Sequence, residues 1–271
     1  MSRGAIALLA MGAAACTIEA KQGEVGIYRA PAGASGSTAL PDPDAPKPVL
    51  FLTMQLRDFK KFDAADPTTN PAFHNLDSEK SVVAETLGAD HKPVYRAPDN
   101  DSPTFGAELF DQWYRDVPGT NYFVSYPLPL VLSGDGLYEF DSQKTGVPDA
   151  DMDVDRRVFF PLDDGSLYAT PFGNQGYKHN QAFTGEIHAV FTAAAGGTLQ
   201  VRGDDDVYVF IDDQLVIDLG GPHAARGMDL DLDDLSLSAG EHALHVFYAE
   251  RMGVTGDFML RSSFALTSSI E

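Results

Sequence analysis

The chain has 271 residues, of which 44% are hydrophobic, and 40 acidic against 19 basic side chains give a formal net charge of −21. This composition supports a sizeable core and excludes wholesale disorder. Binding to phosphate groups needs clustered Lys and Arg, so the charge disfavours nucleic acids and anionic membrane surfaces as partners. The charge favours hard cations instead, above all calcium, which prefers oxygen ligands.

The first sixteen residues have the pattern of an export signal. Met1-Ser2-Arg3 is a short basic start, and a weakly polar run of small and apolar residues leads to Cys16. That run is shorter than the roughly 20 residues that cross a bilayer. Ala13-Ala14-Ala15-Cys16 resembles a bacterial lipobox, although Ala13 stands where Leu is usual. We expect a signal peptide over residues 1–16 and a lipid on Cys16; plain secretion and a buried N-terminal helix stay open as alternatives.

Residues 17–48 are rich in Pro and Gly and predict a flexible linker. Proline-rich linkers extend by about 3.1 Å per residue, so this segment could hold a domain away from an anchor. A disordered N-terminal segment without a role is the alternative. The expected location is the cell surface, as an outer-membrane lipoprotein, or the medium after secretion, and the membrane is expected to be contacted only through Cys16.

Residues 49–268 have the pattern of one globular domain. Residues 49–56 are apolar and predict a strand, and Phe105, Leu109, Phe110 and Trp113 recur at helical spacing before Pro118-Gly119. In the last third, glycine-rich turns separate predicted strands at 187–192, 199–202, 207–211, 215–218, 229–235, 243–249 and 258–266. Short strands at this spacing predict an antiparallel β-sandwich with little helix.

Two acidic stretches are candidates for cation binding. In residues 229–233 Asp and Leu alternate, which on a strand places every Asp in water and every Leu in the core. We interpret this stretch as solvated strand surface. Residues 149–155 resemble the start of an EF-hand loop. They do not fit the full motif, because Val154 stands where the loop requires Gly and Phe160 stands where it requires the bidentate Glu. A weak calcium contact stays open there.

Three consecutive carboxylates, Asp204, Asp205 and Asp206, lie between two apolar runs. Like charges only a few ångströms apart repel one another. A sequence that keeps them together at a loop between strands predicts a cation that offsets the repulsion. A solvated turn is the alternative.

Several separated motifs resemble the signature of bacterial fibro-slime domains. They are Gly203-Asp204-Asp205-Asp206-Val207-Tyr208-Val209-Phe210-Ile211, Leu215-Val216-Ile217-Asp218-Leu219-Gly220-Gly221-Pro222-His223 and Val246-Phe247-Tyr248-Ala249-Glu250-Arg251, with shorter matches upstream in the same order. The resemblance covers residues 50–267. That family is similar to the fourteen-kilodalton protective-antigen domain, so the resemblance implies a mainly β, lectin-like jelly roll with one or two short helices.

The resemblance also implies a calcium site. In lectins of the wider group, two adjacent Asp joined by a cis peptide bind calcium, and a second loop and sugar hydroxyls complete the coordination. The matching positions here are Asp204 and Asp205, with the second loop in residues 251–258. Asp257 stands where the fibro-slime pattern usually has Asn before Phe. The implied calcium ligands are therefore Asp204, Asp205 and Asp257.

Three further residues are candidates for ligand contact. Asp206 is an additional carboxylate beside the pair, and His223 ends one of the matching motifs. Arg251 begins the second loop. For His223 a structural hydrogen bond is the alternative, and for Arg251 a structural ion pair with Glu250.

Motifs of other functions are weak or missing. Glu241-His242-Ala243-Leu244-His245 superficially suggests a metalloprotease. His242 and His245 lie three apart on a predicted strand, so they face opposite sides, and we expect them not to share a metal. The sequence contains no G-x-S-x-G, P-loop or H-E-x-x-H motif.

The resemblance therefore implies a calcium-dependent carbohydrate-binding or adhesive module on the bacterial cell surface, without enzymatic activity. Its expected partners are glycans or cell-surface polysaccharide. A matrix protein that calcium stiffens, and that associates with other proteins without recognising sugar, is one alternative. A glycosidase that uses two of the many carboxylates is another.

Overall fold

The computed structural model describes residues 47–74, 82–96, 105–148, 157–251, 253 and 255–269. All of them belong to one compact unit. The predicted signal peptide with Cys16, residues 17–46 of the predicted linker and the acidic stretch 149–155 lie outside the described residues. In the described ranges, no helix combines the length and the apolar character that crossing a membrane requires.

Strands joined by turns make up most of the described chain, together with two short helices. The strands are β1 (Val49–Phe59), β2 (Asn121–Leu132), β3 (Tyr138–Asp141), β4 (Val147–Pro148), β5 (Arg157–Val158), β6 (Ala182–Thr192), β7 (Thr198–Asp204), β8 (Asp206–Ile211), β9 (Gln214–Leu219), β10 (Arg226–Asp231), β11 (Glu241–Arg251), β12 (Asp257–Ser262) and β13 (Thr267–Ser268). The helices are α1 (Ala107–Phe110) and α2 (Ser142–Thr145), and 3₁₀ turns form at Pro71–His74 and Leu232–Leu235.

The strands form an antiparallel sheet that folds over as a sandwich, as the sequence predicts. Its order is β10-β7-β12-β3-β2-β1-β6-β11-β8-β9, with β13 paired to β6, while β4 pairs separately with β5. The antiparallel pair of β1 and β2 joins two halves of this sheet, β10-β7-β12-β3 and β6-β11-β8-β9. Side chains of both halves meet in one core, where the rings of Tyr248 on β11 and Phe258 on β12 have centroids 5.3 Å apart.

The half that contains β6, β8 and β11 is covered on both faces. Nearly every residue of these strands is buried, not every second one, which is the burial expected when both faces are covered. An aromatic cluster packs on the outer face and includes Phe73, Phe110 and Trp113 from the segment after β1, with Phe210 and Phe247 from the sheet. Trp113 is fully buried, as its place in the apolar pattern at helical spacing indicates.

The predicted helix around residue 109 is shorter than its apolar spacing indicates. Helix α1 has only four residues, and Phe105 is 47% exposed instead of sharing the apolar face. The side-chain amide of Asn70 donates to the carbonyl of Leu109 in α1 at 2.8 Å, and that of Asn121 donates to carbonyls of the following residues at 2.9 and 3.1 Å. These carbonyls are therefore satisfied by side chains from elsewhere in the chain, and the segment continues as turns.

Strand β2 is missing from the sequence-based predictions because Pro127 and Pro129 interrupt its apolar pattern. Proline lacks an N–H and is tolerated in strands mainly at edges. β2 meets β3 only at Val131 and Leu132. Along the proline-containing part, β1 is thus its partner among the described strands, and the missing N–H groups are tolerated.

The predicted strand 229–235 ends early. Strand β10 stops at Asp231, whose carboxylate accepts the N–H of Asp233 at 2.9 Å and caps the following 3₁₀ turn. The carboxylate of Asp233 in turn accepts the N–H of Gly196 at 3.1 Å. The alternation of Asp and Leu therefore describes strand surface only as far as Asp231, and beyond it an aspartate caps a turn.

Candidate metal and ligand site

The predicted loops meet at one end of the sandwich. β7 ends at Asp204 and β8 begins at Asp206, with Asp205 between them, and the Asp204–Asp205 peptide bond is cis, as the resemblance implies. β11 ends at Arg251, and Asp257 at the start of β12 pairs with Asp204 in the β7–β12 ladder. Sheet register therefore places the second loop beside the acidic loop.

Asp204 and Asp205 are both buried and are oriented by the neighbouring loops. The Oδ1 of Asp205 accepts the main-chain N–H of His223 at 3.0 Å, and its Oδ2 accepts that of Arg251 at 2.9 Å. The Oδ2 of Asp204 accepts the hydroxyl of Thr255 at 2.8 Å. The two carboxyl groups are also close enough to hydrogen-bond to one another. The pair is thus held in place by groups from two segments, the loop after β9 and the second loop.

The electrostatic environment of the pair disfavours its negative charge. Burial raises the pKa of Asp205 to about 8, and the charges of Asp206 and Asp204 add to the effect. Burial also raises the pKa of Asp204, against the hydrogen bond from Thr255. A nearby cation has the opposite effect, because it favours the ionised form of a carboxyl group.

Glu250 is a further acidic residue at this end that the sequence analysis does not assign to the site. It is fully buried, its Oε1 accepts the N–H of Gly253 at 3.0 Å, and its Oε2 lies 3.1 Å from the hydroxyl of Tyr248. Burial and the charges of Asp205 and Asp204 raise the pKa of Glu250 well above its usual range. An acidic residue directly after the apolar run 246–249 is the sequence signal that identifies it.

Glycines of the second loop leave room for this carboxyl group. A Cβ on Gly253 would lie 2.6 Å from Oε1 of Glu250, and a Cβ on Gly256 would lie 2.7 Å from its Oε2. The carboxyl group of Glu250 therefore lies directly against the main chain of the second loop and supports it.

Asp257 does not join the pair, which corrects its assignment as a calcium ligand. Arg202 donates to both of its carboxylate oxygens, from Nε at 2.9 Å and from Nη2 at 3.0 Å. The hydroxyl of Ser142 and the amide of Gln143 donate to the same carboxylate at 2.8 and 2.6 Å. Four donors and a neutralising guanidinium leave this carboxylate as a structural anchor between β7, β12 and α2.

Asp206 and Arg251 form a buried ion pair, which corrects their assignment as ligand-contacting residues. The Nε of Arg251 lies 2.7 Å from Oδ2 of Asp206, and both side chains are at most 1% exposed. Asp206 also accepts the hydroxyl of Tyr208 at 2.9 Å, and the guanidinium lies 5.1 Å from the ring centroid of Trp113. The predicted structural role of Arg251 is therefore correct in kind, but its partner is Asp206 and not Glu250.

His223 contacts its own loop. Its Nε2 lies 2.8 Å from the carbonyl oxygen of Leu219, and its Nδ1 lies 3.0 Å from that of Ala224. Its main-chain N–H supports Asp205. His223 therefore makes structural hydrogen bonds, which is the alternative to its predicted contact with a ligand.

Asp204 and Asp205 are therefore the predicted site residues whose arrangement fits a cation. Carboxylate oxygens are the donors that calcium prefers, and it takes 6 to 8 oxygen ligands in total. Two carboxyl groups cannot supply all of them, so main-chain carbonyls, water or hydroxyls of a bound molecule would have to supply the others. The chemistry of the donors fits calcium, but the ligand set differs from the predicted one.

Residues 135–268 match the model of the PA14 domain. Among curated proteins, Protein psiR of Dictyostelium discoideum is 32% identical over 206 residues, which are 73% of this chain and 20% of that protein. Protein psiD of the same organism is 35% identical over 182 residues, 64% of this chain and 33% of that protein. Protein psiC is 32% identical over 219 residues, 74% of this chain and 39% of that protein. The chain thus spans well under half of the length of these relatives.

Two solved structures extend the comparison. The PA14 sugar-binding domain from an RTX adhesin is 17% identical, with a TM-score of 0.25, over 33% of this chain and 53% of that chain. The PA14 domain of the MpAFP antifreeze protein is 16% identical, with a TM-score of 0.24, over 34% of this chain and 45% of that chain. Residues 135–268, about half of this chain, are thus similar to the PA14 domain family.

Proposed function

We propose that this protein is a calcium-dependent carbohydrate-binding or adhesive module. The observation that carries the proposal is the buried pair Asp204–Asp205: burial raises the pKa of both carboxyl groups, and the charges of Asp206 and Asp204 raise that of Asp205 further. A divalent cation would offset this cost of burying negative charge, since it stabilises both carboxyl groups in their ionised forms. A sugar-binding PA14 domain is found in an RTX adhesin, so the proposed activity is one that this type of domain can perform.

Asp204 and Asp205 would hold the ion. Bound calcium would supply coordination positions for neighbouring hydroxyls of a sugar. The protein's own groups orient the pair: the N–H groups of His223 and Arg251 fix Asp205, and the hydroxyl of Thr255 fixes Asp204. The buried Asp206–Arg251 ion pair holds the adjoining strand ends together.

The proposal extends to the location of the protein. Residues 1–16 support export, and Cys16 supports a lipid anchor that displays the domain on the cell surface. The motifs around Asp204 and Glu250 support membership of the fibro-slime branch found in bacteria. Proposed partners are glycans or cell-surface polysaccharide, and the proposed action is reversible binding without catalysis. Association with matrix proteins remains the alternative.

Calcium titration of the purified chain and of Asp205→Asn tests the site. The unmodified chain should bind one calcium ion with a Kd of about 10⁻⁴–10⁻³ M, as is common in extracellular modules. Asp205→Asn should bind at least tenfold more weakly, because it removes one charged ligand. The matched control is Asp229→Asn, which makes the same change at an exposed position on β10 and should leave the affinity unchanged. Circular dichroism checks that all variants are folded.

A glycan array with and without a calcium chelator tests the function. The proposal requires glycan binding that the chelator abolishes and that Asp205→Asn loses. Calcium binding without glycan binding would favour the matrix-protein alternative. Equal calcium affinity in Asp205→Asn and the unmodified chain would remove Asp205 from the site.

A further inference from the structure

A second cluster of potential metal ligands lies at the opposite end of β8 from the acidic pair. It consists of His91, Asp213 and His245, and one ligand atom from each lies within 4.8 Å of the other two. Strand β8 has six residues between Asp205 and the β8–β9 turn, which separates the two sites by about 20 Å at 3.3 Å per residue. The cluster is therefore distinct from the proposed calcium site.

Three segments that are distant in sequence bring these residues together. Asp213 is in the two-residue turn between β8 and β9, where Asp212 and Asp213 both have positive φ, at 48° and 63°. The main-chain O of Asp213 accepts the N–H of Leu87 at 3.0 Å, which attaches the segment 82–96 to the turn. His91 belongs to that segment, and His245 lies on β11 next to β8.

The distances approach those of a coordinated metal ion. The Nδ1 of His91 lies 2.8 Å from Oδ1 of Asp213, and the Nε2 of His245 lies 3.5 Å from the same oxygen. Zinc binds imidazole nitrogen and carboxylate oxygen at about 2.0–2.2 Å, so donors in a tetrahedral site lie about 3.3 Å apart. Shifts of about half an ångström, which the partly exposed His91 can make, would bring both distances to that value.

A second layer of contacts orients His245. Its Nδ1 lies 2.7 Å from Nδ1 of His188, the residue directly opposite on β6. The Nε2 of His188 lies 3.7 Å from Oε2 of the fully buried Glu186. Histidines that bind metals usually hydrogen-bond through their other ring nitrogen, which fixes the ring and its tautomer. When Nδ1 of His245 carries the proton and donates to His188, Nε2 of His245 is unprotonated. Its lone pair is then available to a metal ion beside Asp213 and His91.

We propose that His91, Asp213 and His245 form a binding site for a divalent transition-metal ion, with zinc as the best-suited ion. Two imidazoles and one carboxylate are donors that zinc prefers, whereas calcium prefers oxygen alone. The side chains of His91 and Asp213 are 43% and 41% exposed, so an ion can enter from solvent, while His245 supplies a buried ligand. Three protein ligands leave at least one position open to water.

Bound zinc would connect the segment 82–96 to the β8–β9 turn and to β11. In the described part of the chain, hydrogen bonds such as Leu87 N–H to Asp213 O and Leu215 N–H to Glu85 O make this connection. A metal ion bound only in the folded state stabilises it by mass action. Zinc should therefore raise the melting temperature of the protein in proportion to the logarithm of its concentration above Kd.

Zinc titration by calorimetry, with thermal unfolding as a second readout, tests the proposal on the full chain. We expect one saturable zinc site whose affinity millimolar calcium does not change, and a melting temperature that zinc raises both with and without calcium. His91→Asn and Asp213→Asn should each weaken zinc binding at least tenfold, and asparagine tolerates the positive φ at both positions. Two independent variants keep the test valid if one of them fails to fold.

The matched control is Asp212→Asn, which changes the neighbouring residue of the same turn. Asp212 pairs with His242 at 2.6 Å and not with the cluster, so this variant should bind zinc as the unmodified chain does. Asp205→Asn should also keep the zinc site. Absence of saturable zinc binding, unchanged affinity in Asp213→Asn, or an equal loss in Asp212→Asn would overturn the proposal; the last result would indicate general attraction to the acidic surface.

Discussion

Asp204, Asp205 and Asp206 are adjacent in sequence and chemically identical, yet the fold gives them different environments. Asp206 is paired with Arg251, 45 residues away in sequence. Asp204 and Asp205 have hydroxyl and main-chain donors, and burial raises the pKa of both. The sequence predicts that three carboxylates here need compensation, but only the tertiary structure decides which one receives an arginine.

Replacement of Arg251 by Met should strongly destabilise the protein. The variant leaves the fully buried Asp206 without its positive partner, and breaking a buried pair in this way typically costs about 3–5 kcal/mol. Urea unfolding of both proteins measures the difference. The control is Arg96→Met, which removes an exposed pair with Glu85 at 3.4 Å and should change the free energy of unfolding by less than about 1 kcal/mol. Similar losses in the two variants would contradict the assigned role of the buried pair.

Asp58 should make the protein less stable as the pH rises. It is fully buried on β1, and burial raises its pKa to about 7 from the ordinary 3.8, against hydrogen bonds with Thr170 and Asn180. Below pH 3.8 both the folded and the unfolded chain hold this proton, so no stability is lost. Between pH 3.8 and 7 the unfolded chain loses this proton while the folded state keeps it, so stability falls as the pH rises. Above pH 7 both states are ionised, and the loss stays at about 4 kcal/mol.

The Asp58→Asn variant should therefore lose less stability than the unmodified protein between pH 5 and pH 8. The expected difference is about 2–3 kcal/mol from this one group, measured as the free energy of unfolding in urea at both pH values. A variant with the same pH dependence as the unmodified protein would show that Asp58 keeps an ordinary pKa.

Helix α2 shows at the scale of elements how a short segment is held by its neighbours. Its first two residues, Ser142 and Gln143, both donate to Asp257, and Asp141 caps its N-terminus. At its other end the main chain approaches β5 closely. A Cβ on Gly146 would lie 2.3 Å from the carbonyl oxygen of Val158 and 2.5 Å from that of Ser142. Both obstacles are main-chain atoms, which cannot rotate away as a flexible side chain can.

Gly146→Ala should destabilise the protein by about 1–3 kcal/mol, because the added methyl group forces α2 and β5 apart. Gly134→Ala is the control, since nothing lies within 4 Å of a Cβ at that position, and it should be nearly neutral. Thermal or urea unfolding measures both. Equal stability of the two variants would show that the chain absorbs the methyl group without separating these elements.

Burial explains which strands the sequence predicts correctly. Strands β6 to β9, β11 and β12 lie in apolar runs bounded by glycine or aspartate turns, so periodicity and turn residues identify them. Periodicity and turn residues do not identify strand β2, and they do not predict how short α1 is. Prolines in β2 are tolerated because of its place in the sheet, and α1 stops where Asn70 and Asn121 bind the main chain. Both depend on contacts between distant segments.

For the molecule as a whole, the sandwich places two groups of polar residues at opposite ends of β8. One contains the proposed calcium ligands and the other the proposed zinc ligands. The sequence predicts the first from adjacent aspartates in a recognisable motif. It gives no sign of the second, since His91, Asp213 and His245 are separated by 122 and 32 positions and meet only when the segment 82–96 packs on the β8–β9 turn.

The sequence by itself determined the mainly β character, the antiparallel sandwich and the position of the acidic loop, because these follow from local periodicity, turn residues and charge. The tertiary structure decided what each charged side chain does. Asp257 and Asp206 are structural because Arg202 and Arg251 reach them across the sheet, whereas Asp204 and Asp205 keep the raised pKa values that favour a cation. Pairing and burial between distant segments set these roles, and a linear pattern contains neither.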